Sequence, residues 1–281
     1  MQLPKNDILP INKLVACFNN TVATYKYYWL LSIIDQVERG KTMIPKIDLF
    51  SGMISHAWYT VNYFHISFGK CDLLEEQIQK IKNLEQIPVN ESQSRIQEKL
   101  INSTNLDTIR SLQHFDANVP HWFLSPWFPG KSKKEIYLLS HEFSHLSPYS
   151  LHKEFISINL LWANYLKDNA AIIKSFCYWK LALFLQDKNP NVPDIPNKLI
   201  KPAQRNGLTK QRRQFWDLVI EERGFVNCIY LNKPLVKNNY AVEHFVPYSF
   251  VSHDLIWNLI PADISFNSKK SDKLPLLKKK F

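Results

Sequence analysis

Between Ile11 and Val37, apolar side chains recur at steps of three and four residues: Ile11, Leu14, Phe18, Val22, Tyr25, Trp29, Ile33 and Val37. That stride places all eight on one face of an α-helix, and it is incompatible with the two-residue alternation of a strand. A helix is therefore expected over this stretch, ended by Gly40. Its aromatic residues read as core packing rather than as a stripe for stacking on bases. A second buried helix is expected between Pro45 and Gly69, around Trp58, Tyr59, Tyr63, Phe64 and Phe68. His56 and His65 within it read as satisfied core or boundary residues, because no acidic residue stands at helical spacing from either. Residues 73–84 and 92–101 alternate in charge, as solvated helix faces do. Residues 119–130, broken by Pro120, Pro126 and Pro129, read as a loop or short strand that plugs the helical core. Residues 153–186 read as a long helical stretch that bends or splits near Asp168-Asn169. With only six glycines in 281 residues and 45% apolar content, the chain is expected to be mainly α rather than a β-sandwich.

This pattern stops at residues 188–204, where Pro190, Pro193, Pro196 and Pro202 fall close together. Prolines remove backbone donors and bias the residues before them away from helix. The expected organisation is a helical domain at 1–187, a stiff connector at 188–207 and a small second domain at 208–281. Charge follows the same division. Residues 201–281 hold 14 Lys/Arg against 7 Asp/Glu, which is most of the net +10 of the chain. A clustered basic excess suits a polyanionic partner. Within this part, residues 209–223 read as a short helix with Thr209 as N-cap and Gly224 as stop. Phe215, Trp216, Val219 and Ile220 should face inwards, and Lys210, Arg212 and Arg213 outwards. Residues 225–231 and 240–246 read as two strands joined through Asn232-Lys233-Pro234. A third extended piece at 258–260 and a short helix at 262–270 follow.

The chemistry concentrates in Glu243-His244-Phe245-Val246-Pro247, then Trp257-Asn258, then Asn267-Ser268-Lys269-Lys270-Ser271-Asp272. Phosphodiester hydrolysis needs an activated water, neutralised phosphate charge and help for the leaving oxygen. A histidine can serve the first need, and a hard cation on oxygen ligands the other two. Glu and His are adjacent, so both serve one site only if the strand twists or ends there. Pro247 is placed to end it.

The run EHFVPYSF…WNLIPADISFNSKKSD resembles the HNH (ββα-metal) endonucleases, including the HNH domain of RNA-guided CRISPR nucleases and bacterial restriction and defence nucleases. The resemblance covers residues 208–281 and implies a mainly α chain ending in a small α+β nuclease domain. It implies that Glu243 and Asn267 hold one Mg²⁺ or Mn²⁺, that His244 is the general base, and that Asn258 orders the loop supporting it. Lys269, Lys270, Lys273, Arg212 and Arg213 are the candidates for nucleic-acid contact. The implied reaction is hydrolysis of double-stranded DNA, with roles in restriction or phage defence. One site cuts one strand, so a homodimer or partner subunit through the helical domain would be needed to break both. The alternative within the same fold is a non-catalytic nucleic-acid-binding protein. Glutamate stands where aspartate is commoner, and the chain ends soon after Leu274-Pro275, where further helix is expected.

His141-Glu142-Phe143-Ser144-His145 also spells H-E-x-x-H, the pattern of zinc metalloproteases. Pro148 follows too closely for a long helix, and no third ligand stands at the required spacing. The four cysteines, Cys17, Cys71, Cys177 and Cys228, form no CxxC pair, so neither a disulfide framework nor a structural zinc is expected. No signal peptide or membrane span is read at Met1–Asp7 or elsewhere, and the expected compartment is the cytoplasm.

Overall fold

The structure is a computed structural model that describes residues 2–200 and 207–274. The helical face that begins at Ile11 is realised in two pieces, α1 (Ile11–Ala16) and α2 (Tyr25–Glu38). The expected single helix is interrupted because Asn20 adopts a left-handed φ of 55°. In addition, the Thr24 backbone N–H and hydroxyl both donate to the buried Asp72 carboxylate at 2.6 Å. Leu14, Phe18, Trp29, Ile33 and Val37 are nevertheless buried, and Val22, in the break, is exposed. Gly40 ends α2 at φ +79°, a conformation that costs a residue without Cβ little.

β1 (Met43–Pro45) leads into α3 (Lys46–Asn62), the central helix of the first part. α3 packs on α2 and on three shorter helices, α4 (Leu74–Glu85), α5 (Gln93–Ile101) and α6 (Leu106–Gln113). Gly52 permits the close approach of α2 and α5, since a Cβ there would lie 2.7 Å from Ser32 Oγ and 3.2 Å from Gln97 Nε2. The stretch expected to be a loop or strand instead opens as α7 (Val119–Phe123), with Pro120 in the first turn, where its missing N–H loses no helical bond. α8 (Lys133–His141) starts from a Ser132/Glu135 capping box.

β2 (Tyr149–Leu151) and β3 (Phe155–Ile158) follow, and the three strands form an antiparallel sheet in the order β1-β3-β2. The helical stretch expected from residue 153 thus begins as a strand, in which Ile156 and Ile158 are buried and alternate with half-buried neighbours. It then continues as α9 (Leu160–Asp168) and α10 (Ala170–Lys188), split at Asn169. Four fully buried tryptophans, Trp29, Trp58, Trp127 and Trp162, fill this core. The Trp29 indole N–H donates to the Tyr149 hydroxyl at 3.0 Å, and that hydroxyl donates to the Pro120 carbonyl at 2.6 Å, linking α2, β2 and α7.

The second part begins with α11 (Thr209–Gln211), a π turn at Arg212–Trp216 and α12 (Asp217–Arg223). Leu208, not Thr209, occupies the N-cap position, and Phe215 is 44% exposed rather than inward. β4 (Val226–Asn227) pairs with β5 (Pro234–Leu235). β6 (Ala241–His244) pairs with β7 (Leu259–Ala262), after the short α13 (Tyr248–Val251), and α14 (Ile264–Lys270) is the last helix among the described residues. The expected pairing of residues 225–231 with 240–246 is therefore corrected. The chain at Cys228–Lys233 folds back on itself, with Asn232 N–H bonded to the Cys228 carbonyl and Cys228 N–H to the Lys233 carbonyl, both at 2.8 Å. That turn gives β4 its partner at once and leaves β6 to pair with β7. Ile220, Cys228, Leu235, Tyr240 and Ala262 form the small core beneath.

The described residues cluster into two compact units, one within Met1–Pro190 and Lys198–Ile200, the other within Asn191–Asn197 and Lys201–Phe281. Ile195–Lys198, in the proline-rich stretch, is a single 3₁₀ turn. Pro202 and Lys278–Lys280 lie outside the described residues. No helix among the described residues is long and apolar enough to cross a membrane.

His56 has the acidic partner that its own helix does not supply. Its Nε2 lies 2.8 Å from Asp35 Oδ2, on α2, and Lys174 Nζ lies 2.6 Å from Asp35 Oδ1. Burial alone would raise the Asp35 carboxyl; the hydrogen bonds and charges of His56 and Lys174 outweigh it and hold the group at about 2. A carboxylate depressed in the folded state contributes stability that is present above its ordinary value of 3.8 and is lost as pH falls through about 2. Asp35→Asn is expected to cost about 2 kcal/mol near neutral pH. The gap between the two proteins should close in acid, as urea melts at about pH 7 and about pH 2.5 will measure.

Candidate active site

β6 ends at His244, so the side chains of Glu243 and His244, which would diverge along a longer strand, are both buried, at 4% and 7% exposure. Asn258 fixes the backbone that follows. Its side-chain amide donates to the Val246 carbonyl and accepts from the Val246 N–H, both at 2.8 Å, while its own carbonyl accepts from Phe245 N–H at 2.8 Å. Pro247 then starts α13. Asn258 is 1% exposed, and it holds the loop without lining the cleft beside it.

α14 closes the other wall. Asp263 caps its N-terminus by accepting from Phe266 N–H at 3.0 Å. From its last turn, Lys270 reaches back to β6, with Nζ 3.2 Å from Glu243 Oε2 and donating to the His244 carbonyl at 2.9 Å. Both charged side chains are 3% exposed. The second Glu243 oxygen, Oε1, is buried, and the Tyr230 hydroxyl lies beside the carboxylate as its hydrogen-bond donor. Burial, with the neighbouring Glu243 charge, pushes the Tyr230 phenol well above its ordinary value.

Glu243, His244, Tyr248, Asn267, Lys270 and Asp272 line one cleft of about 290 Å³. Three of the four main positions read from the sequence thus converge, and the fourth, Asn258, supports them. His244 has a partner that the motif does not contain: its Nε2 lies 2.7 Å from Asp254 Oδ1. An ionised carboxylate can only accept, so Nε2 carries the proton and the lone pair of the neutral ring lies on Nδ1. Asp254 is the only acid between His244 and Asn258, and that was the signal available for it. Tyr230 and the pairing of Lys270 with Glu243 left no such signal.

The basic candidates divide. Lys269, Lys273 and Arg213 are exposed and pair with no acidic side chain among the described residues. Arg212 is not turned outwards. Its guanidinium lies 4.6 Å from the centre of the Tyr240 ring and 3.7 Å from Asp217 Oδ1, so it buttresses the small core.

A carboxylate and an amide oxygen on one cleft suit a hard divalent cation. Among the described residues no three His, Cys, Asp or Glu side chains gather for a metal, so Glu243 and Asn267 would need phosphate and water to complete a shell. The H-E-x-x-H residues are arranged otherwise. α8 stops at His141, whose Nε2 lies 2.6 Å from the Leu151 carbonyl, and Phe143 and His145 take left-handed φ angles. The two histidines therefore do not share a helical face.

Residues 228–276 match the family model of the HNH endonucleases. They are an HNH-family domain. No curated protein and no solved structure matches the chain. The HNH family is one of nucleases, which implies a nucleic-acid substrate and, in general, a divalent metal. Within the matched residues β6, β7 and α14 follow one another, and His244 stands at the end of β6.

Two expectations follow from the buried contacts. Lys270→Met leaves the Glu243 carboxylate uncompensated and should cost about 3–5 kcal/mol, most of it recovered in the Lys270→Met/Glu243→Gln double variant, as chemical denaturation will measure. Asn258→Ala strands the Val246 N–H and carbonyl, so about 2 kcal/mol should be lost. Faster hydrogen exchange at the Val246 amide will report it.

Proposed function

We propose that the protein is a metal-dependent endonuclease that hydrolyses DNA phosphodiester bonds in the cleft between β6 and α14. The observation that carries this reading is the convergence of Glu243, His244, Asn267 and Lys270 on that cleft. Glu243 and Asn267 are the residues that would hold one Mg²⁺ or Mn²⁺. When bound, the ion would neutralise phosphate charge and favour departure of the leaving oxygen. His244 takes the proton of the attacking water on Nδ1, while Asp254 accepts from Nε2–H and stabilises the imidazolium that forms. The water oxygen bonds to phosphorus as the bond from phosphorus to the 3′ oxygen breaks, leaving 3′-hydroxyl and 5′-phosphate ends by analogy with the family. Lys270, with its amine between Glu243 and the His244 carbonyl, sets the spacing of the two walls and adds positive charge beside the scissile phosphate. Lys269, Lys273 and Arg213 contact flanking phosphates, which position the strand without reading sequence.

The helical unit, residues 1–187, would serve recognition, partner binding or regulation of the nuclease, in a cytoplasmic restriction or phage-defence setting.

The test is supercoiled plasmid incubated with the purified protein in Mg²⁺, Mn²⁺ or EDTA. Nicking should depend on the metal and disappear in His244→Ala, with DNA affinity kept within a few-fold. Glu243→Gln should also lose the rise in melting temperature that Mg²⁺ or Mn²⁺ gives the unaltered protein. Nicking that persists in His244→Ala after rigorous purification would remove His244 as the base. A melting temperature indifferent to either ion would remove the metal site.

A further inference from the structure

The connection between β6 and β7 presents a second surface, apolar and open to solvent. Phe250 is 43% exposed, Leu255 54%, Ile256 41% and Trp257 65%. The largest side chain of the protein is a core residue at positions 29, 58, 127 and 162, where it is fully buried. Trp257, like Trp122 and Trp179, is exposed instead, and of these three it alone belongs to the second unit. His253 supports it edge to face, with ring centroids 5.1 Å apart and planes at 61°.

Backbone pairing bounds the distance between this residue and the cleft. His244 lies opposite Leu259, and Phe245 N–H bonds the Asn258 carbonyl. The Cα atoms of His244 and Trp257 are therefore within about 13 Å of each other. Asp254 turns inwards from the same connection to hold His244, while its neighbour His253 backs Trp257. A strand with a phosphate at His244 thus carries its neighbouring bases past this ring. The surroundings favour a polyanion: Asp254, already engaged with His244, is the only acid on the connection. Lys269 and Lys273, on and after α14, are exposed.

We infer that Trp257, backed by His253, is a stacking platform for an unpaired base, so that the substrate is DNA that is single-stranded or locally unpaired beside the scissile phosphate. The inference rests on the nuclease reading and narrows it. In an intact duplex both faces of each base are covered by its neighbours, and only a base released from the stack can lie on the indole. Stacking of this kind accepts any base, because each offers a π face.

The experiment uses full-length His244→Ala protein, which binds without cutting. Fluorescence anisotropy compares a labelled single-stranded oligonucleotide with a hairpin duplex of the same sequence. Adding Trp257→Ala should weaken single-strand binding about tenfold while the duplex affinity holds, and Trp257→Phe should retain most of the single-strand affinity. An unchanged melting temperature will show that the exposed position is not needed for folding. Equal single-strand affinity with and without Trp257, or equal losses on single strand and duplex, would overturn the inference. So would a dimer that Trp257→Ala dissociates with nucleic-acid affinity unchanged, since the face would then join copies of the chain. If His244→Ala abolishes plasmid nicking but Trp257 proves irrelevant to binding, the platform alone falls. If the unaltered protein neither cuts nor binds DNA, the nuclease reading falls and takes the platform with it.

Discussion

The contact on which the second unit depends is the buried triangle of Lys270, Glu243 and the His244 carbonyl. β6 has one short antiparallel neighbour, β7, and α14 is a helix of seven residues. Neither element would hold its position by its own hydrogen bonds. One lysine amine, reaching from the last turn of α14 to a side chain and a main-chain oxygen of β6, joins them. Its place at the C-terminal end of α14 also sets a positive charge near the negative end of the helix dipole. The apolar cluster of Ile220, Cys228, Leu235, Tyr240 and Ala262 supports the sheet from below.

A buried ion pair is a costly way to join two elements, because desolvation of both groups consumes most of their attraction. Apolar side chains of similar volume would hold the same two elements at least as well. The pair makes better sense as a device for holding a carboxylate in the wall of the cleft, with Lys270 on one side of it and Tyr230 on the other. The Tyr230 hydroxyl beside the carboxylate adds a donor to the ammonium of Lys270, so the charge is held from two sides. His244 is held as well. Its Nε2 is committed to Asp254, which settles the tautomer before any substrate arrives.

The parts of this architecture carried by local pattern were legible in the chain itself. Helical periodicity located the long helices, Gly40 marked the end of α2, and the spacing of Glu243, His244, Asn258 and Asn267 located the cleft. The departures arose where a contact distant in sequence decided local structure. Asp72 broke the first helical run by capturing Thr24, forty-eight residues away. Asp35 satisfied His56 from a different helix, so a search along the helix of His56 missed it. The strand pairing went astray because β4 and β6 both read as extended, and nothing in their composition says that the turn at Cys228–Lys233 consumes β4 first. Arg212 shows the same limit on a smaller scale. Its helical position pointed to solvent, and the Tyr240 ring with Asp217 drew it back.

One loop therefore carries two opposed tasks, and its sequence divides them residue by residue. Asp254 and Asn258 turn inwards, one fixing the imidazole and the other the backbone beyond it. Between and beside them, His253, Leu255, Ile256 and Trp257 stay towards solvent. An inward polar residue stabilises the loop through hydrogen bonds that need no ligand. An outward aromatic residue adds nothing of that kind and leaves apolar surface in water, an arrangement that mutation towards polar residues would relieve at no cost to folding. A rigid aromatic face held beside a cleft whose walls bear a carboxylate, an imidazole and an ammonium is suited to the two halves of a nucleotide: the base for the ring, and the phosphate for the cleft.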